Sequence, residues 1–316
     1  MDQKIIKNIF KKYNLGAVKS VKKIDIGFTN KVYSINNKFI LKVCEDENNE
    51  EKFEMEVYFY NFLKNKIFVP EIKIFDKSKD IYEKYFMIYL KIEGDNLYSI
   101  WHLLNNDERR NIIKQLCSIL KIINKSPYKR FTKRFKINSS MNWHDKIINK
   151  IQNSLKDIEK NKLLSSEFIH VIKKFVKNNH NVLKEQKMAL VYWDAHFDNI
   201  LIQDTKIVGM LDFEKTEISS IDFVLDIIKR MVECPKKYMS EKSERFAKKE
   251  DYAQLLDWFC EFYPELFNFK DLDKRLDLYA IEYDLKNLIK YPNAKEIKQT
   301  IAKIIKFEKY FLEDSK

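Results

Sequence analysis

Residues 190–202 read LVYWDAHFDNILI, and residues 207–214 read IVGMLDFE. Each segment is an apolar, β-type run that delivers a carboxylate into a short polar turn, Asp194 in the first and Asp212 in the second. The first segment also carries an amide, Asn199, shortly after its aspartate. A carboxylate can accept a proton, and carboxylate and amide oxygens are ligands for Mg²⁺. The two segments therefore predict a small hairpin that bears a catalytic base and metal ligands.

The composition indicates a globular protein of enzyme size. The chain has 316 residues, of which 45% are hydrophobic and 14% aromatic, and this argues against disorder. No apolar run is long enough to span a bilayer and no targeting signal is evident, so we expect a cytoplasmic protein that does not contact membranes. The 4 cysteines form no Cys-x-x-Cys pair, so neither a zinc site nor a disulfide framework is indicated. The net charge of +12 is diffuse, whereas a nucleic-acid-binding protein would concentrate it, so we expect no nucleic-acid partner.

Local signals divide the chain into a sheet-rich first third and a mostly helical remainder. Alternating runs at 21–26, 31–35 and 39–43 predict an antiparallel meander with turns at Gly27 and Asn36-Asn37. A helix and two further strands are predicted at 48–64, 71–75 and 84–92, before Gly94. Further helices are predicted at 107–124, 141–160, 166–184, 220–233, 250–262, 271–290 and 294–312. This order predicts an α+β protein with two lobes and a cleft between them.

Four segments in the first third carry recognisable motifs in a fixed order: IGFTNKVY at 26–33, FILKV at 39–43, EVYFYNFL at 56–63 and IEGDNL at 92–97. They resemble the nucleotide-binding loop, the lysine strand, the glutamate helix and the hinge of the aminoglycoside phosphotransferase and choline kinase superfamily. Members of that superfamily share a protein-kinase-like fold. The resemblance covers most of the chain and implies a small N-terminal lobe with an antiparallel sheet and a larger, mostly helical C-terminal lobe.

The catalytic loop of this superfamily reads H-G-D-x-H-x-x-N, and the chain supplies Asp194, His196 and Asn199 in register. The resemblance implies that Asp194 is the catalytic base and that Asn199 and Asp212 bind Mg²⁺. Asp222 and Asp226 match two further acids of the family, which mainly brace the site. Two departures stand out, because Tyr192-Trp193 replace His-Gly and Phe197-Asp198 replace Pro-Gly.

The resemblance also implies a set of nucleotide-binding residues. Lys42 would bind the phosphates, held extended by Glu56, and adenine would meet the backbone of residues 88–92. His196 either approaches the γ-phosphate or fastens the loop, while Thr29 and Asn30 either contact phosphate or only form a turn. The full predicted set is Gly27, Thr29, Asn30, Lys42, Glu56, Ile88, Tyr89, Leu90 and His196.

The acceptor side rests on one predicted helix, residues 272–289. At about 100° per residue, Arg275, Glu282 and Lys286 fall on one side, which we take as the solvent face. Asp273, Asp277 and Asp284 lie near the opposite side, where carboxylates, Asp277 and Asp284 above all, could recognise the ammonium groups of a polycationic acceptor. The alternative is that these acids pair with the abundant lysine and arginine side chains.

The sequence thus predicts a small-molecule kinase that uses Mg²⁺ with ATP or GTP to phosphorylate a hydroxyl group, in an aminoglycoside-like antibiotic by first preference. Choline, another amino alcohol or another metabolite is the alternative acceptor. A nucleotide-binding pseudokinase that acts as an interaction module is the alternative from a different class. We predict a nucleotide-binding lobe at 1–94 ending in the hinge, and a helical lobe at 95–316 with the catalytic loop and acceptor site. A monomer or weak dimer is expected.

Overall fold

The computed structural model describes residues 1–24, 30–137, 142–238 and 244–307. The strands in this part of the chain are β1 (Val21–Ile24), β2 (Asn30–Ile35), β3 (Phe39–Cys44), β4 (Ile72–Asp76), β5 (Phe86–Leu90), β6 (Asp95–Asn96), β7 (Met188–Tyr192), β8 (Ile200–Gln203), β9 (Lys206–Met210) and β10 (Thr216–Ser220). The α-helices are α1 (Gln3–Lys12), α2 (Glu50–Leu63), α3 (Leu97–Ile100), α4 (Asn106–Asn124), α5 (Lys129–Arg134), α6 (Trp143–Lys160), α7 (Ser166–Asn179), α8 (Val224–Glu233), α9 (Leu255–Phe262), α10 (Leu272–Lys290) and α11 (Lys295–Ile304). An N-terminal sheet followed by mostly helical structure confirms the predicted α+β class.

Contacts divide the chain into two compact units. Unit one comprises Met1–Ile123, Tyr192–Glu217 and Ile227–Phe262, and unit two comprises Asn124–Val191, Ile218–Asp226 and Tyr263–Lys316. The lobe boundary at residue 94 stays a prediction. None of the helices in the described ranges combines the length and the apolar character needed to cross a membrane.

An antiparallel sheet of five strands, in the order β1-β2-β3-β5-β4, opens unit one. The β2–β3 turn confirms the Asn36-Asn37 prediction, since both residues have positive φ, 55° and 52°. Two consecutive residues with positive φ are what a tight type I′ hairpin requires, and asparagine tolerates this conformation.

All six residues of β3 are buried, and because side chains alternate along a strand they serve two different surroundings. Leu41 and Val43 join an apolar cluster with the buried side of α1, formed by Ile6, Ile9 and Phe10. Lys42 points the other way and meets α2. The alternation of β3 therefore sets an apolar core on one face and a charged site on the other.

A second sheet of unit one, in the order β6-β8-β9, contains the hairpin predicted across residues 190–212, but the hairpin is shorter than predicted and spans only residues 200–210. The start of the predicted first arm belongs instead to β7, which pairs with β10. Gly94 lies beside it with φ 151°, and a Cβ atom there would come within 2.9 Å of Val208 Cγ2 and 3.0 Å of the Ile202 carbonyl oxygen. Only glycine fits this conformation and this spacing. Gly94 therefore lets the chain before α3 run close against the hairpin that follows the catalytic loop.

In unit two, α10 packs against α6 and α11 and is buried around much of its circumference. The expected solvent face of this helix was wrong: Arg275 is 0% exposed and Glu282 is 8% exposed. Arg275 donates to both oxygens of Asp222, at 2.7 and 3.0 Å, and the Tyr279 hydroxyl donates to the same carboxylate at 2.9 Å. An amphipathicity argument fails here because a paired arginine can be buried like an apolar residue.

Candidate functional site

A buried ion pair joins β3 to α2. Lys42 Nζ lies 2.9 and 2.7 Å from the two carboxylate oxygens of Glu56, and the Tyr60 hydroxyl donates to Glu56 Oε1 at 2.7 Å. Glu56 is fully buried and Lys42 is 7% exposed. Burial favours the neutral amine, but the carboxylates of Asp212 and Glu56 outweigh it and raise the pKa of Lys42. Lys42 is therefore held charged and extended, as the predicted phosphate-binding lysine must be.

Asp212 brings the second predicted segment to this lysine. Its Oδ1 lies 3.4 Å from Lys42 Nζ, and its backbone N–H donates to the Tyr60 hydroxyl at 3.0 Å. Asp212 has a left-handed backbone, with φ 57° and ψ 70°, and opens a 3₁₀ turn at Phe213–Lys215. Residues held in this region of backbone space often mark functional sites.

A third carboxylate, Glu214, completes an acidic cluster that the sequence reasoning missed. One oxygen of each of Glu56, Asp212 and Glu214 lies within 4.8 Å of the others. Burial, together with the charge of Asp212, raises the pKa of Glu214 to about 7, and Asn30 Nδ2 lies 3.4 Å from its Oε2. Crowded carboxylates that Lys42 does not fully neutralise, and that offer hard oxygen donors, fit Mg²⁺.

The catalytic loop follows β7 and holds Asp194 at 4% exposure. Asn199 braces this loop, because its side-chain nitrogen donates to the Asp194 carbonyl oxygen at 2.9 Å. This leaves Oδ1 as the Asn199 atom with the chemistry of a magnesium ligand. Lys215 Nζ lies 3.0 Å from each carboxylate oxygen of Asp194. The turn from Asp212 to Lys215 thus connects the Lys42 cluster to the predicted base.

His196 lies against the same carboxylate. Its Nε2 is 3.6 Å from Asp194 Oδ1, and its ring stacks on Tyr98 at a centroid distance of 6.3 Å. Burial lowers the pKa of His196, so the imidazole is neutral at neutral pH. Its Nδ1 is buried without a hydrogen-bond partner among the described residues. Loop fastening and phosphate contact both stay open as predictions for this residue.

The bulky pair that replaces His-Gly is accommodated by packing. Tyr192 is fully buried, stacks on Phe213 at 4.6 Å between ring centroids, and donates its hydroxyl to the Leu211 carbonyl oxygen at 2.6 Å. Trp193 is 5% exposed and has the Lys215 ammonium over its ring at 5.2 Å. The substitution therefore ties the loop that bears Asp194 to the segment that bears Asp212.

The other predicted nucleotide-binding residues lie in different surroundings. Gly27 and Thr29 fall outside the described residues. Ile88, Tyr89 and Leu90 are part of β5, which pairs with β3 on one side and β4 on the other, and the Leu90 N–H donates to the Glu71 carbonyl oxygen. Much of the hydrogen-bonding capacity of this strand is therefore used within the sheet.

The predicted acceptor residues lie in unit two. Asp277 is 3.3 Å from Lys274 Nζ, in the pairing that the alternative reading expected. Asp284 is fully buried. Asp222 is committed to Arg275 and Tyr279, and Asp226 is 2% exposed. The acceptor contacts of Asp277 and Asp284 stay a prediction, as does the bracing role of Asp222 and Asp226.

Comparisons with known proteins agree with this architecture. Solved structures with similar folds include the aminoglycoside phosphotransferase APH(2'')-Ib bound to ADP, with 18% identity, a TM-score of 0.70, and coverage of 96% of this chain and 97% of that chain. The streptomycin–ATP complex of APH(2'')-IIa gives 18% identity, a TM-score of 0.70, and coverage of 97% and 96%. A thermostable mutant of APH(4)-Ia with AMP-PNP and hygromycin B gives 13% identity, a TM-score of 0.65, and coverage of 95% and 97%. At these identities the likeness establishes a kinase-like fold, as predicted.

Comparison of the sequence with protein-family models identifies the family, which a likeness in fold alone does not. No curated protein sequence matches the chain. A family model described as "Phosphotransferase enzyme family" matches residues 20–226, a span that includes Lys42, Glu56, Asp194, Asn199 and Asp212. Since this span is more than half of the chain, the protein belongs to the phosphotransferase enzyme family.

Proposed function

We propose that the protein transfers the γ-phosphoryl group of a Mg²⁺-bound nucleotide to a hydroxyl group of a small molecule. One observation carries the proposal. The 3₁₀ turn at Phe213–Lys215 links the charged Lys42 to the buried carboxylate of Asp194. Asp212, just before the turn, contacts Lys42, and Lys215, at its end, contacts Asp194. Phosphoryl transfer needs these two elements, a cation for the phosphates and a base for the nucleophile.

In this proposal the nucleotide phosphates lie against Lys42, and Gly27, Thr29 and Asn30 are kept as predicted phosphate contacts. ATP or GTP would serve as donor, and adenine or guanine would meet the end of the 88–92 segment. Ile92, beyond the end of β5, is favoured there, because the N–H groups of Leu90 and Lys91 already donate to the carbonyl oxygens of Glu71 and Lys38. The ADP-bound and GDP-bound neighbours support a nucleotide donor.

Asp212 and Asn199 would hold Mg²⁺, with Glu214 as a further oxygen donor. The ion would neutralise the charge of the phosphates and orient them. Burial is the main cause of the raised pKa of Glu214 and the charge of Asp212 adds to it, and a bound cation would relieve that repulsion.

Asp194 would act as the base. The hydroxyl oxygen of the acceptor forms a new bond to the γ-phosphorus while the bond from that phosphorus to the bridging oxygen breaks. The hydroxyl proton passes to Asp194, and the nucleoside diphosphate leaves with the electron pair. A positioned base of this kind contributes about 10²- to 10⁴-fold in rate.

For the acceptor we propose an aminoglycoside-like antibiotic. Neighbours of the same fold were solved with streptomycin, gentamicin and kanamycin, and these are the reason for the choice. Asp277 and Asp284 are carried forward as candidate contacts for acceptor ammonium groups. Replacing either by alanine should raise the acceptor KM, and an unchanged KM would remove that residue from the acceptor site.

The test is a coupled assay of ADP release with a panel of acceptors. The panel contains aminoglycosides, choline and other amino alcohols, with ATP and GTP as donors. We expect turnover that depends on Mg²⁺ and is stimulated by an aminoglycoside. If only choline stimulates turnover, the protein is still a small-molecule kinase, but its acceptor is choline and not an aminoglycoside. Nucleotide binding without stimulated turnover by any member would favour the pseudokinase alternative.

A further inference from the structure

Lys215 is not among the site residues predicted from the sequence, yet it makes the closest charged contact to the predicted base. Its Nζ lies 3.0 Å from both Oδ1 and Oδ2 of Asp194. The Asp194 side chain is 5% exposed, whereas the Lys215 side chain is 47% exposed. The ammonium therefore reaches a buried carboxylate from a stem that solvent can reach.

The ring of Trp193 packs against the ammonium that makes this contact. The Lys215 ammonium lies 5.2 Å from the centroid of its ring, within the range of a cation–π interaction. Trp193 occupies the position where the family motif has glycine, which has no side chain to offer a cation. The tryptophan that replaces glycine in the catalytic loop is thus the residue that contacts the Lys215 ammonium.

The other cationic groups near this carboxylate have different engagements. Lys42 is bonded to Glu56 and Asp212. His196 lies farther away, with its Nε2 3.6 Å from Asp194 Oδ1 only. Lys215 therefore supplies a full positive charge in direct contact with Asp194.

We propose that Lys215 is a positioning residue for phosphoryl transfer and that Trp193 holds its ammonium against Asp194. The inference rests on the proposed function of this site. Each carboxylate oxygen has two lone pairs, so the bonds from Lys215 leave each oxygen able to accept the hydroxyl proton. Lys215 fixes the orientation of the carboxylate, and its charge offsets the repulsion between Asp194 and the incoming phosphoryl group.

The bond changes in transfer do not alter Lys215. The γ-phosphorus exchanges its bond to the nucleotide for a bond to the acceptor oxygen, and the proton moves to Asp194. Lys215 keeps its own proton throughout. Its contribution is thus electrostatic and geometric, and it should appear in kcat rather than in nucleotide affinity.

The experiment compares Lys215→Met, Lys215→Arg and Trp193→Leu with wild type and Asp194→Asn. Lys206→Met is the matched control, because Lys206 is an exposed lysine on β9 of the same unit. For each variant, kcat and KM are measured with the best acceptor, the Kd is measured for a non-hydrolysable ATP analogue, and thermal unfolding verifies folding.

We expect Lys215→Met to lower kcat about 10²-fold, the effect typical of removing one preorganised electrostatic contact. The Kd of the analogue should stay unchanged, and Lys215→Arg should restore most of the lost rate. Trp193→Leu should lower kcat about 3- to 30-fold, as expected for loss of a cation–π contact. If the two residues act as one unit, the double variant Trp193→Leu/Lys215→Met should be no slower than Lys215→Met.

Two results would overturn the inference while leaving the proposed function intact. One is a wild-type kcat for Lys215→Met beside an inactive Asp194→Asn. The other is a pair of losses, for Trp193→Leu and Lys215→Met, that multiply in the double variant. If Asp194→Asn turns over like wild type, the proposed function itself fails. If Lys215→Met does not fold, the kcat values of Lys215→Arg and Trp193→Leu are compared instead. A nearly wild-type kcat for Lys215→Arg with a lowered kcat for Trp193→Leu supports the inference, and a wild-type kcat for Trp193→Leu overturns it.

Discussion

Replacing Lys42 by methionine should destabilise the protein to an extent that depends on pH. Lys42 is the cation bonded to both oxygens of Glu56, whose carboxylate is fully buried. After the replacement, Glu56 would keep the bond from the Tyr60 hydroxyl but would have lost its closest positive charge. Burial already raises the pKa of Glu56, and the Lys42 ammonium opposes that shift. The variant therefore removes the main group that keeps the carboxylate charged.

The magnitude can be bounded in two ways. Removing one partner of a buried ion pair costs about 3–5 kcal/mol when the remaining charge stays buried. We expect Glu56 to escape this penalty by taking up a proton, which at pH 7.5 costs about 4 kcal/mol for a carboxyl with an ordinary pKa of about 4.3. In the second case the folded variant binds a proton that the unfolded chain releases, so its stability falls as pH rises above about 4.3. The loss relative to wild type should shrink by about 1.4 kcal/mol for each pH unit of acidification toward that value.

The assay is urea unfolding, followed by circular dichroism at several pH values between about 5.5 and 7.5, the range over which the effect should change by about 3 kcal/mol. Lys42→Met/Glu56→Gln is the matched control, because a neutral amide removes the buried charge and still accepts from Tyr60. This double variant should recover most of the stability and lose the pH dependence. Lys22→Met, on exposed β1, should unfold like wild type. A loss for Lys42→Met below about 1 kcal/mol, or one that does not change with pH, would refute the reasoning.

Three further predictions concern other parts of the molecule. Burial lowers the pKa of His196, so the stability contributed by its neutral imidazole is complete above about pH 6.5 and is lost as pH falls through the lower pKa of the folded state. His196→Asn should therefore lose less thermal stability on acidification than wild type. The control is His170→Asn, at an exposed histidine, which should behave like wild type. Arg275→Leu should lose about 3–5 kcal/mol, because it leaves the Asp222 carboxylate buried without its cation, and an unfolding midpoint equal to that of wild type would contradict this. A thiol reagent at mildly alkaline pH should label two cysteines in the folded protein and four in urea, since two are exposed and burial raises the pKa of the other two, to about 11 for Cys44 and about 12 for Cys117; rapid labelling of all four without urea would be inconsistent with the buried thiols.

The first third of the fold was predictable because its signals are local. Strand alternation and two adjacent asparagines define the β2–β3 hairpin, and the observed turn has the positive φ values that asparagine tolerates. The Lys42–Glu56 pair followed from motif order, since a strand lysine and a helix glutamate have fixed places in the family resemblance. Both contacts are also present in the structure, at 2.9 and 2.7 Å.

The parts that could not be predicted depend on contacts between residues far apart in sequence. The pKa of Glu214 is raised first by burial and then by the charges of Asp212 and Glu56, and these effects arise only when the turn folds against α2. Lys215 meets Asp194 across the whole hairpin, and nothing in the local pattern of either segment indicates that contact. The wrong solvent face predicted for α10 also results from contacts that are not local. Arg275 is buried because Asp222 and Tyr279 accept its hydrogen bonds.

The central claim is that Asp194 is the base of a phosphoryl-transfer site built around Lys42 and Asp212. The most direct test is the kcat for ADP release by Asp194→Asn beside wild type, with the Kd of a non-hydrolysable ATP analogue measured for both. Loss of a positioned base predicts a fall in kcat of about 10²- to 10⁴-fold with the Kd unchanged. A kcat within about threefold of wild type, far below the effect expected for a catalytic base, would contradict the account.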